Sequence, residues 1–132
     1  VIGTSAEDAD SGEVGRGNRV NGVISLARPM GTEAAAGKNP VSHVGKIYSI
    51  LAHRMAREMH ERIEGIKEVY VWLLSQIGTP IDKPKEVYIK ISPARRSNAA
   101  ALRRNAALIV DEYLSGISAF TGELARGEHP VC

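Results

Sequence analysis

Apolar side chains recur at steps of three or four through Val44, Ile47, Tyr48, Leu51, Met55, Met59 and Ile63, while Lys46, His53, Arg57, His60 and Glu61 fall off that stripe. This period predicts one long amphipathic helix with a single buried face. Its start is expected at Asn39-Pro40, because Asn is a favoured N-cap and Pro suits the first helical position. Its end is expected near Gly65. Two runs rich in β-branched and aromatic residues follow, Glu68 to Leu74 and Glu86 to Ile91, with turn chemistry between them at Gly78-Thr-Pro80 and Asp82-Lys-Pro84. In the second run Val87, Ile89 and Ile91 alternate with Glu86, Tyr88 and Lys90, so one face is buried and the other wetter. Ser97 to Leu114 has a stripe at Leu102, Ala106, Ile109, Val110 and Tyr113, and a last helix is expected over Ile117 to Ala125. Residues 1–38 contrast with this scaffold. Eight of the 13 glycines precede Tyr48, at positions 3, 12, 15, 17, 22, 31, 37 and 45. Arg19 to Ala27 is a candidate strand weakened by Asn21-Gly22. The pattern therefore divides into a glycine-rich loop segment with a short strand (1–38) and a scaffold (39–132). The expected class is α+β, a two-layer arrangement with helices on one face of a sheet.

Composition narrows the partners. The 132 residues carry 17 Lys+Arg against 15 Asp+Glu, and 43% are hydrophobic, which argues against a disordered tail and against a nucleic-acid or membrane-surface binder. No window approaches the run of roughly 18 apolar residues that spans a bilayer. The one cysteine, Cys132, leaves no intrachain disulfide and fits a reducing, cytoplasmic setting. No leader pattern is visible. The chain begins at Val1, and its polar, glycine-dense stretch begins at once with no scaffold ahead of it. Functional loops are normally held on both sides. The expectation is thus a C-terminal piece of something longer.

Charge is separated locally. Glu7, Asp8, Asp10 and Glu13 occupy the first 13 residues without a base, and Arg16, Arg19, Arg28 and Lys38 follow in a glycine-rich frame. Acids that can hold Mg²⁺ beside bases that can neutralise phosphates suit nucleotide chemistry, although a mixed-charge surface loop has the same composition. Asp8-Ala-Asp10-Ser-Gly12 opens like a calcium loop, but its glycine comes one place early and Arg19 stands where the closing Glu belongs. Gly31 to Asn39 is similar to a P-loop, yet five residues separate the glycines and Asn39 replaces the magnesium-binding Ser or Thr. Gly37, Lys38 and the helix start behind them could still bind an anion through close backbone approach, a point charge and unsatisfied N–H groups. The alternative is a solvated lysine at a helix start. His43 lies beside that position, whereas His53, His60 and His129 read as surface groups. Arg95-Arg96 and Arg103-Arg104 lack an aromatic platform and read as solvated charge.

The stretches Gly3 to Gly22, Arg28 to Tyr48 and Glu68 to Asp82 closely resemble the C-terminal part of archaeal-type methionine adenosyltransferase, the S-adenosylmethionine synthetase family. The resemblance runs over nearly the whole chain, and family chains are about three times as long as this one, a multidomain length. It implies the fold of that family and formation of S-adenosylmethionine from ATP and methionine, with release of phosphate and diphosphate. Asp10-Ser-Gly-Glu-Val-Gly-Arg16 is similar to the bacterial branch's Asp-Thr-Gly-Leu-Thr-Gly-Arg, which implies Asp10 against the methionine or adenosine portion and Arg16 against phosphate. Gly37-Lys38-Asn39-Pro40 resembles the bacterial Gly-Lys-Asp-Pro, whose Lys binds polyphosphate, so Lys38 joins them. The bacterial lysine after the Arg is Gly17 here, the second bacterial lysine falls at Ser42, and the neighbouring metal-binding Asp has no counterpart in Val41 to Lys46. His43, Lys46 and Arg19 are candidate substitutes, and Glu7 and Asp8 candidate metal ligands. Mg²⁺ is the implied cofactor, with K⁺ as a further candidate. The implied partners are ATP, methionine, the N-terminal part of the same chain and a second subunit in a homodimer with the active site at its interface. Two other readings stay open on the residues alone: a non-catalytic polyphosphate-binding module, and a dimerisation piece using Trp72, Leu73 and Leu74.

Overall fold

The computed structural model describes residues 20, 27–30, 34–94 and 97–130. Its elements are α1 (Val44–Arg62), β1 (Ile66–Leu74), β2 (Glu86–Pro93), α2 (Ala99–Ser115) and α3 (Ile117–Ala125). The expected α+β class is the observed one. The candidate strand Arg19 to Ala27 and the pair Arg95-Arg96 lie mostly or wholly outside the described residues.

α1 is the organising element. Its stripe of Ile47, Leu51, Met55 and Met59 is fully buried, with Tyr48, Ile50 and Ile63 nearly so. β1 and α2 both pack on this helix, and α3 packs on α2. Leu102, Ala106, Ile109 and Val110 of α2 and Ile117, Phe120 and Leu124 of α3 complete one core. At the end of α1 the chain turns through Ile63 and Gly65, whose φ of 86° is a conformation that glycine adopts without steric cost. A Cβ at Gly65 would also lie 3.0 Å from the Cβ of Ser97, so the start of α2 passes too close for a side chain.

β1 and β2 form an antiparallel pair in which Val69 faces Ile91, Val71 faces Ile89 and Leu73 faces Val87. These six residues pack against the helical core. The alternate register, Tyr70 with Lys90, Trp72 with Tyr88 and Leu74 with Glu86, occupies the outer face, as the period of two requires. An irregularity between Ile66 and Glu68 places Lys67 as an extra residue opposite Ser92 and Pro93. The connection over residues 75–85 is tied to α1 by the Tyr48 hydroxyl, which donates to the Ile81 carbonyl at 2.7 Å. Burial, with Asp82 nearby, pushes the Tyr48 phenol above its ordinary pKa and keeps it a donor.

One surface expectation changes. His129 is not a tail residue in solvent: its side chain is 17% exposed, its ring lies 5.2 Å from that of Phe120, and Nε2 is 2.6 Å from a Glu123 carboxylate oxygen. A carboxylate only accepts, so a hydrogen bond to Glu123 requires the proton on Nε2, which also lies 3.1 Å from the Arg54 Nη1. The His129 hydrogen bond is the main cause holding the Glu123 carboxyl below its ordinary pKa. Arg54 of α1 reaches the same carboxylate at 3.5 Å, with its guanidinium over the rings of Tyr113 and Phe120. Aromatic and charged contacts thus fasten the last residues of the described chain to α1. His53, His60, Arg103 and Arg104 are exposed, as their positions off the apolar stripes require. No helix among the described residues is long and apolar enough to cross a membrane.

Candidate functional site

The segment from Ala34 to Lys46 leads into α1 and carries three of the candidate residues. Ala35 is fully buried and anchors it. Gly37 turns the chain with φ at 77°, which leaves Lys38 half-buried at the corner. Asn39 then behaves differently from the expectation drawn above. Its Oδ1 accepts from the backbone N–H groups of Val41 at 2.8 Å and Ser42 at 3.0 Å, and its carbonyl accepts from His43 N–H at 3.2 Å. Asn39 therefore closes a turn of its own and does not cap α1. Helix α1 begins at Val44, and its N-cap is His43, whose Nδ1 accepts from Lys46 N–H at 3.3 Å. With Nδ1 an acceptor, the neutral ring carries its proton on Nε2.

Two corrections follow for the anion site. The N–H groups of Val41, Ser42 and His43 are engaged within the chain, so the donors expected at an Asn39-Pro40 helix start are already used. Lys46, placed by its spacing on the wetter side of the helix, is buried: it is 8% exposed, and its Nζ donates to the backbone carbonyl of Lys38 at 2.9 Å. Burial is the larger cause lowering the Lys46 pKa, and the neighbouring charge of Lys38 is the second. Both lysines lie at the N-terminal end of α1, where the helix dipole is also positive, and the Lys38 charge is near enough to act on Lys46. Such an arrangement is repulsive in itself and is relieved by an anion.

Arg28 belongs to the same basic set, but its guanidinium reaches a Glu68 oxygen on β1 at 3.2 Å with much of the side chain in solvent. Lys38, His43 and Lys46 are brought together within nine residues of chain. Asp10, Arg16, Arg19, Glu7 and Asp8 lie outside the described residues, as does Cys132. Among the described residues no three His, Cys, Asp or Glu side chains gather as metal ligands. The candidate ligands Glu7 and Asp8 are not among the described residues, and no chemical step is assigned to a metal here.

A second feature lies on the outer sheet face. Trp72 stacks on Tyr70 with centroids 5.9 Å apart and meets Tyr88 at 5.3 Å, while Leu74 continues the row. Trp72 is 37% exposed, Leu74 50% and Tyr88 60%. Leu73 points the other way, into the core side, so the apolar surface is Tyr70, Trp72, Leu74 and Tyr88 and not the run Trp72-Leu73-Leu74. The alternation of Tyr70, Trp72 and Leu74 with Tyr88 in the facing strand was the sequence signal for this cluster. Reading it required the strand register.

Comparison with known proteins gives consistent relatives. The description of the S-adenosylmethionine synthetase (AdoMet synthetase) family matches residues 1–128. The chain is 51% identical over 132 residues to the S-adenosylmethionine synthase of Aeropyrum pernix, covering 99% of this chain and 32% of that protein. It is 52% identical over 118 residues to that of Thermococcus gammatolerans, covering 89% of this chain and 29% of that protein. With the protein of Archaeoglobus fulgidus the identity is 46% over 128 residues, 97% of this chain and 32% of the relative. The chain thus spans about a third of the length of these relatives.

Proposed function

Because the chain belongs to the S-adenosylmethionine synthetase family, we propose that it forms part of a methionine adenosyltransferase and supplies a polyphosphate-facing wall of the site. The reaction proposed is attack of the methionine thioether on the ribose 5′ carbon of ATP, giving S-adenosylmethionine, followed by cleavage of the released tripolyphosphate into phosphate and diphosphate. A thioether is nucleophilic without losing a proton, so no general base is required. The protein must instead align sulfur and carbon and stabilise charge on the leaving group. The observation that carries this reading is the bond of Lys46 Nζ to the Lys38 carbonyl, which sets two lysines at the positive end of α1, within a chain matched to the family over residues 1–128. Lys38 and Arg16 are assigned to the polyphosphate, Asp10 to the methionine or adenosine portion, and Arg19 and His43 to its surroundings. Family chemistry calls for metal ions, and Mg²⁺, with K⁺ as a second candidate, is taken to be held by Glu7, Asp8 or acids of the longer protein. A cytoplasmic setting belongs to the same reading.

The longer protein carrying this segment should release phosphate and diphosphate from ATP only when methionine is present, and the 132-residue chain assayed by itself should form no S-adenosylmethionine. Tight tripolyphosphate binding with no reaction in the longer protein would support a non-catalytic binding module instead.

The aromatic sheet face carries a second part of the reading. Three aromatic rings and a leucine on one sheet face are costly to leave in water and suit a protein interface. We assign this face to a second copy of the longer chain in a homodimer. Trp72→Glu should then convert dimer to monomer in light scattering at micromolar protein. A dimer of unchanged stability would remove this face from the subunit interface and leave it for the remaining part of the same chain.

A further inference from the structure

Lys46 is the one buried charged residue among the described residues, with 8% of its surface exposed. Its surroundings make that placement unfavourable. It sits in the first turn of α1, whose dipole repels a cation there, beside Ile47 and Tyr48 of the core and near the charge of Lys38. An apolar residue of similar length would fill the same space without desolvating an ammonium. What the lysine does that an apolar residue could not is donate a charge-assisted hydrogen bond to the carbonyl of Lys38, eight residues back, at 2.9 Å. That bond spans the Asn39 turn and the N-cap of α1. It ties the backbone of Lys38 to the most deeply buried helix of the molecule, while the turn itself is held by Asn39 and His43.

We propose that Lys46 is a positioning residue for Lys38 and not a second polyphosphate ligand: its buried ammonium holds the Lys38 carbonyl and so sets where the Lys38 ammonium meets the polyphosphate. This rests on the assignment of Lys38 to the polyphosphate given above. Lys46 thereby differs from the lysine that the family's bacterial branch carries at the position of Ser42, since one of its three donors is committed to the protein backbone. The consequence is a rigid phosphate lysine. Misplacement of a binding group by about 1 Å can lower a rate by roughly 10²-fold, so a group that fixes the backbone has catalytic weight without touching substrate.

The test is a double-mutant cycle in the longer protein, read as kcat for S-adenosylmethionine formation and KM for ATP and methionine. Lys46→Met keeps the length of the stem and removes the donor. It should lower kcat about 10-fold with methionine KM nearly unchanged. In the Lys38→Ala background the same substitution should add less than about 2-fold, because the group it positions is gone. Lys46→Arg, which retains a donor, should recover most of the lost kcat. Should Lys46→Met melt below the assay temperature, Lys46→Gln carries the same cycle. Equal fold-losses from Lys46→Met in the two backgrounds would overturn the proposal, since Lys46 would then act on the substrate itself. An unchanged kcat in Lys46→Met would overturn it too, leaving Lys46 a purely structural group. If Lys38→Ala alone leaves kcat unchanged, the assignment of Lys38 fails first and this inference falls with it.

Discussion

Replacing Lys38 with alanine in the longer protein should lower kcat by roughly 10²–10³-fold, the usual loss when one preorganised charge-stabilising donor is removed from a developing anion. That corresponds to about 3–4 kcal/mol of transition-state stabilisation. Methionine KM should change little, because the thioether approaches from the opposite side of the reacting carbon to the leaving polyphosphate. Loss of an interaction made mainly in the transition state appears in kcat and kcat/KM together. The variant is not expected to unfold. Lys38 is half-buried at a turn that Asn39 closes with two hydrogen bonds, and its backbone carbonyl, the partner of Lys46, is retained in alanine. Its removal also takes away one of the two causes that depress the Lys46 pKa, leaving burial as the remaining cause. Steady-state kinetics at saturating ATP decide the matter: a kcat within about twofold of the parent enzyme would remove Lys38 from the reacting site.

The second large effect concerns stability. Leu51 is fully buried in the centre of α1, with Ile47 and Met55 one turn to either side. Leu51→Ala should cost about 3 kcal/mol, from lost transfer energy and the cavity left behind. Leu108 of α2 is also a helical leucine but is 66% exposed, and Leu108→Ala should stay within about 0.5 kcal/mol. Urea unfolding of the two variants against the parent chain compares them directly. Equal shifts in midpoint would mean that the packing of β1 and α2 against α1 does not supply the stability assigned to it.

Leu51 and Leu108 also show how much of the fold was legible beforehand. Leu51 lies on the stripe from Val44 to Ile63 and Leu108 lies off the stripe through Leu102, Ala106 and Ile109, so their opposite fates follow from a period of 3.6. The last helix, Ile117–Ala125, has its expected bounds, and the two strands extend the expected runs by a residue or two at their ends. The candidate site was legible as a neighbourhood but not as a geometry. Lys38, His43 and Lys46 were singled out, yet the helix cap was expected at Asn39 and is His43, and Lys46 was expected off the buried stripe and is buried. The corrected positions share a cause. Asn39-Pro40 satisfies two rules at once, because the same asparagine oxygen that caps a helix can close a separate turn. Which occurs depends on His43 being available to cap α1 one turn later.

Sequence alone therefore determined what local spacing can encode: the helical stripe, the strand alternation, the glycine turns at Gly37, Gly65 and Gly78, and the family motifs around Asp10, Arg16 and Lys38. Those features depend on chain neighbours a few residues apart. Tertiary structure decided which residues of β1 join the wetter face of β2, so that Trp72 lies beside Tyr88 while Leu73 turns inward. It placed His129 against Phe120 and Glu123. It also turned Lys46 from a surface charge into a buried donor. The physical reason is desolvation. The cost of burying a polar group, and the partner that offsets it, depend on what lies beside it in space, and no periodicity along the chain carries that information.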